Sequence, residues 1–130
     1  MKTIITLLVL LWALGLQAQQ SENDSAVFIL FENKPEFPGG SMKYADYLHS
    51  MQYPRQEVIG TSCKAYLRFI VEKNGDIGDV ELAKSSGSEI LDGIAITHIQ
   101  RMPQWKPGYL DGEPVRVSEI IVIFFWNAGK

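Results

Sequence analysis

Residues 61–84 constrain the fold most. From Thr61 to Lys73 the chain alternates, with Cys63, Ala65, Leu67, Phe69 and Val71 on one side and Lys64, Tyr66, Arg68, Ile70 and Glu72 on the other. Successive strand residues point to opposite faces, so this stretch reads as a half-buried strand. Asn74-Gly75 follows, a strong hairpin signal because both residues tolerate positive φ. Ile77 to Lys84 alternates again, Val80 and Leu82 against Asp79, Glu81 and Ala83. Together these stretches predict an antiparallel hairpin.

Helical patterns flank it. Pro35-Glu36-Phe37-Pro38-Gly39-Gly40 breaks the chain. Ala45, Leu48 and Met51 then recur at helical steps until Tyr53-Pro54, and Arg55 to Ile59 adds a short helical turn before Gly60. Ser85-Ser86-Gly87-Ser88 supplies N-cap candidates, with Glu89 and Asp92 in the first turn to suit the helix dipole. Leu91, Ala95, His98 and Met102 share a face that Ile94 and Ile99 widen, and Pro103 stops the helix. Gly93 inside it costs about 1 kcal/mol against Ala. The connector Met102–Gly108 is stiffened by two prolines, and Trp105 is large enough to pin it to the domain. After the Asp111-Gly112 turn comes a long last strand, Val115–Trp126. Its second half is apolar at every position, which requires either cover on both faces or a bulge near Glu119. Ala26–Phe31 is a further short strand-like run. The order strand, helix, hairpin, helix, strand predicts an α+β domain, two helices on a small antiparallel sheet.

The first eighteen residues read as a secretory leader. Met1-Lys2 is basic, Ile4 to Leu16 is apolar, and Ala18 offers a small cleavage position. The apolar run is short of the roughly 20 residues that span a bilayer. Export to the periplasm is therefore expected, with 112 of the 130 residues left as one domain. Loss of Lys2 takes the net charge from −3 to −4. An acidic chain without a basic run excludes nucleic acid and anionic membrane as expected partners. The expected division is leader 1–18, N-terminal segment 19–34 and domain 35–127.

Catalytic chemistry finds little support. His49 and His98 lack a second ligand at helical or hairpin spacing, so no metal site is expected. Cys63, the single cysteine, falls on the inward face of a strand, a poor place for a nucleophile. Asp76, Asp79 and Glu81 lack the spacing of a calcium loop. Gly39-Gly40 lacks the Lys-Ser/Thr of a phosphate loop. No enzyme, cofactor or small-molecule substrate is expected. An interaction surface remains, and an apolar last strand at a sheet edge would supply one.

Five stretches, in order, resemble the TonB C-terminal domain family. They are Pro35–Gly40 with Tyr53-Pro54, Phe69–Ile77, Ser85-Ser86-Gly87 before Leu91-Asp92, Met102–Gly108, and Gly112–Val117. The resemblance spans about residues 27–126. It implies a three-stranded antiparallel sheet with two helices packed on one face; here the N-terminal strand-like segment precedes it, and the leader makes an exported, stand-alone domain the expectation. It also implies a role: capture of an extended TonB-box-like peptide from an outer-membrane transporter or other envelope protein, added as a strand beside the last strand. The implied site is Val117, Glu119, Ile121, Ile123 and Phe125 on that strand, with Tyr53 and Pro54 at the corner. The alternative is a structural or regulatory envelope module that dimerises or docks through the same edge, with Ala26–Phe31 able to close it from within the chain.

Overall fold

The computed structural model describes Val27–Phe28 and residues 33–127. The expected leader, and most of the N-terminal segment, lie outside the described residues. In chain order the elements are β1 (Val27–Phe28), α1 (Ser41–His49), a 3-10 turn (Arg55–Glu57), β2 (Ser62–Val71), β3 (Ile77–Lys84), α2 (Glu89–Gln100), β4 (Gly108–Leu110) and β5 (Glu113–Trp126).

The class is α+β as expected, but the sheet has more than three strands. Its order is β1-β5-β2-β3, with β4 pairing β5 off that path. The antiparallel trio β5-β2-β3 matches the expectation. The additions arise at the start of β5. Asp111 and Gly112 take φ of 52° and 76°, the left-handed pair that closes a two-residue hairpin, and so bring β4 back against Glu113–Val115. Val27 and Phe28 pair in parallel with Arg116 and Val117.

The β2–β3 turn uses one left-handed residue rather than two. Glu72 and Asp76 close it, and Gly75 alone has φ of +89°. Asn74 steadies it, its side-chain carbonyl accepting from the Asp76 N–H at 3.0 Å. Gly75 is obligatory for a second reason: a Cβ there would sit 1.9 Å from the Trp105 carbonyl oxygen. The turn is where the connector docks, the Trp105 N–H donating to the Gly75 carbonyl at 2.9 Å. Along β3 the expected alternation fails. Asp79 has φ of 48° and the register with β2 shifts, so Val80 is only half-buried and Leu82 is exposed.

The core lies on one side of β2 and β5. Ala65, Leu67, Phe69 and Val71 meet Ile121, Ile123 and Phe125, and Leu91, Ala95 and Ile99 of α2 cover them. Trp105 is buried edge-on to Phe37, Tyr44 and Phe69. The serine loop before α2 is held from inside. Ser88 caps the helix by accepting from the Leu91 N–H, and the buried Asp92 carboxylate accepts from the Ser85 hydroxyl and from the Ser86 N–H at 2.8 Å.

Among the described residues neither way of hiding the apolar half of β5 is used. The β2–β5 register runs unbroken from Ser62↔Trp126 to Val71↔Val117, so Glu119 carries no bulge. Odd-numbered residues enter the core. Among the described residues the other face is left uncovered, with Ile120, Phe124 and Trp126 each more than half exposed. α1 buries none of its residues fully. It flanks β5 instead of capping the sheet centre.

Candidate peptide-binding edge

In the sheet order, β2 occupies one side of β5, and among the described residues β1 pairs with the other side at Arg116–Val117. At the far end Tyr53 closes the strand. Its hydroxyl accepts from the Trp126 N–H at 2.9 Å and donates to the Trp126 carbonyl at 3.3 Å, while the Arg55 guanidinium donates to the same carbonyl at 3.0 Å. The Tyr53 ring is perpendicular to Phe125, and the Arg55 guanidinium lies over the Tyr53 ring.

This geometry assigns the backbone of β5. The Trp126 N–H and C=O turn away from β2, whereas the Asn127 N–H turns the other way, to the Thr61 carbonyl at 3.0 Å. Backbone groups in an antiparallel strand alternate by residue. With the register unbroken, Phe124, Val122, Ile120 and Ser118 therefore turn their N–H and C=O outward; Ser118 adjoins the β1 pairing, and no described residue pairs with the other three. Three residues with one donor and one acceptor each offer six groups, bounded by β1 and the Tyr53 clamp.

α1 forms the wall beside this edge. Ala45, Leu48, His49 and Tyr53 face Val122, Ile123, Phe124 and Trp126 across a groove of about 380 Å³. A second hollow, also about 380 Å³, lies toward the start of the edge, where Lys34, Phe37, Tyr44 and Trp105 surround Glu119. Burial pushes the Glu119 carboxyl above the usual range, partly offset by the Lys34 charge. Burial, and then the Glu119 charge, also raises the Tyr44 phenol. The Trp105 indole N–H is buried with no hydrogen-bond partner among the described residues.

The expected site residues separate by geometry. Val117, Ile121, Ile123 and Phe125 are buried, and Glu119 is half-buried on the same face. By the same alternation their backbone groups face β2, and Val117 also lies where β1 pairs. Tyr53 closes the edge, and Pro54 begins the 3-10 turn that aims Arg55. The outward backbone of Ile120, Val122 and Phe124, and the wall residues Ala45 and Leu48, were not among the expected residues. Extending the inward phase of Val115 and Val117 through Glu119 to Phe125 separates the even-numbered set from the odd, but which set turns its backbone to the open side depends on where β2 pairs. Nothing local in the sequence marks the second.

His98 stacks on Tyr47, with ring centroids 4.2 Å apart, and His49 lines the groove. Cys63 is half-buried against the core. Among the described residues no group of three or more His, Cys, Asp or Glu is placed to hold a metal ion. No helix among them is long and apolar enough to cross a membrane.

A family model of the Gram-negative bacterial TonB protein C-terminal region matches residues 49–126, well over half of the chain. The chain belongs to the TonB C-terminal family. The matched span runs from the end of α1 to the last residue of β5, so it holds the hairpin, α2, β4 and the whole candidate edge. TonB C-terminal domains are non-enzymatic, transport-associated domains of the Gram-negative envelope, and they interact with outer-membrane transporters. No curated protein and no solved structure matches this TonB-type chain.

Proposed function

We propose that this TonB-type domain is exported to the periplasm and captures an extended segment of an outer-membrane transporter or another envelope protein by strand addition to β5. The observation that carries this reading is an edge that no described residue pairs. Ile120, Val122 and Phe124 offer six outward backbone groups between β1 and the Tyr53–Trp126 clamp, beside an apolar groove. Unpaired strand edges recruit strands. Six hydrogen bonds at about 1 kcal/mol each supply on the order of 6 kcal/mol, short of the roughly 8 kcal/mol of a micromolar complex. Capture is therefore weak unless side chains enter the groove, as suits a contact that must be released.

An NMR titration of the ¹⁵N-labelled chain with TonB-box peptides tests this. Shifts concentrated at residues 118–126 and along α1 are expected. Absence of shifts there at millimolar peptide would refute strand capture. Val122→Pro removes one outward donor while leaving the odd-numbered residues to hold β2, and it is expected to weaken binding at least about fivefold. A peptide N-methylated at alternate residues makes the same test on the unaltered protein.

A further inference from the structure

Two hollows lie on the helix side of β5, one around Glu119 and one against Ile123. Residues four apart in a strand share a face and stand about 13 Å from each other. A strand added along β5, in either direction, places two of its own side chains at the same separation, beside Glu119 and beside Ile123. The hollows differ in chemistry. The one at Ile123 is walled by Ala45, Leu48 and Tyr53 and takes an apolar side chain. The one at Glu119 holds a half-buried carboxylate that makes no hydrogen bond or ion pair with any described residue. Lys34 lines the same hollow and acts on Glu119 only from beyond salt-bridge distance. Tyr44, half-buried, adds an aromatic ring to the wall, a group that attracts cations.

Building on strand capture, we propose that the captured segment is selected for a cationic side chain, Lys or Arg, opposite Glu119 and an apolar side chain four residues away opposite Ile123. The incoming cation ion-pairs with the Glu119 carboxylate and displaces the Lys34 ammonium toward solvent. A partly desolvated carboxylate gains more from an opposite charge than an exposed one. The selection therefore acts at this position rather than at the open acidic residues of the surface.

The test uses the full chain and the peptide acetyl-Thr-Lys-Thr-Val-Thr-Leu-Thr-amide, together with its reversed sequence to cover both strand directions. Versions carrying Gln or Glu in place of the Lys are titrated in parallel by NMR. The Lys peptide is expected to bind at least tenfold tighter than the Glu peptide on the wild-type chain. That preference should collapse to within twofold in Glu119→Gln, while Lys34→Ala tightens the Lys peptide. Equal binding of the Lys, Gln and Glu peptides to the wild-type chain overturns the charge selection and leaves strand capture standing. Failure of every peptide to bind at millimolar concentration overturns both. The peptide comparison needs no altered protein, so a folding defect in a variant does not decide the outcome.

Discussion

The Tyr47 hydroxyl donates to the His98 carbonyl at 2.7 Å, and the His98 Nε2–H returns a bond to the Tyr47 carbonyl at 2.8 Å. The two rings stack between these bonds, 21° from parallel. Each residue thus satisfies a backbone carbonyl on the other helix. This reciprocal pair ties α1 to α2, and α1 walls the groove. Tyr47→Phe removes one bond and is expected to cost about 1 kcal/mol. His98→Ala removes the other bond and the stack and costs about 2 kcal/mol. A double-mutant cycle in urea checks the coupling. Purely additive losses would show that the two residues act independently.

Two glycines should respond in opposite ways to alanine. Gly75→Ala drives a Cβ against the Trp105 carbonyl and strains a left-handed residue, so a loss above about 2 kcal/mol is expected. Gly93 lies in the interior of α2 and is exposed, and a Cβ added there would meet nothing within 4 Å. Gly93→Ala should therefore stabilise by about 0.5–1 kcal/mol. Thermal melting of the two variants beside wild type decides both.

Trp105→Ala should unfold the connector rather than blunt a grip. The ring is buried against Phe37, Tyr44 and Phe69, and such truncations cost about 3–5 kcal/mol. Loss of peptide binding at an unchanged melting temperature would contradict this and assign Trp105 to partner contact.

The Asp92 carboxyl gives a pH test. Burial alone would push it up, but hydrogen bonds from Ser85 and Ser86 outweigh burial and hold it below the usual aspartate value. A depressed folded pKa contributes stability that is present above the unfolded value, near 4, and is lost as pH falls through the folded value. Asp92→Asn should cost about 2 kcal/mol at pH 7 and much less near pH 2. Urea unfolding at the two pH values measures it. An equal loss at both would show that the carboxylate charge is not what holds the serine loop.

Much of the fold was legible because it rests on local chemistry. The alternation of Ala65, Leu67, Phe69 and Val71 marks a core strand, and Ser88, Glu89 and Pro103 bound α2. Asp111-Gly112 closes a turn. β3 was less legible, because the left-handed Asp79 shifts the register and leaves Leu82 exposed with no local signal. At the edge, periodicity names the two faces of β5 but not which of its sides is paired. Tyr53 and Trp126 are 73 residues apart, and no local pattern announces that one hydroxyl serves both backbone groups of the other. Glu119 is similar. As a letter in the sequence it is one acid among fifteen, and only the fold, which sets it in one hollow with Tyr44 and Trp105, half-buries it. The sequence by itself determined the elements, the family and the last strand as the candidate surface, since these follow from short-range sterics and periodic burial. Tertiary structure alone decided which residues of that strand face outward, where the open edge begins and ends, and which carboxylate waits beside it. Those properties belong to pairings and contacts between residues far apart along the chain.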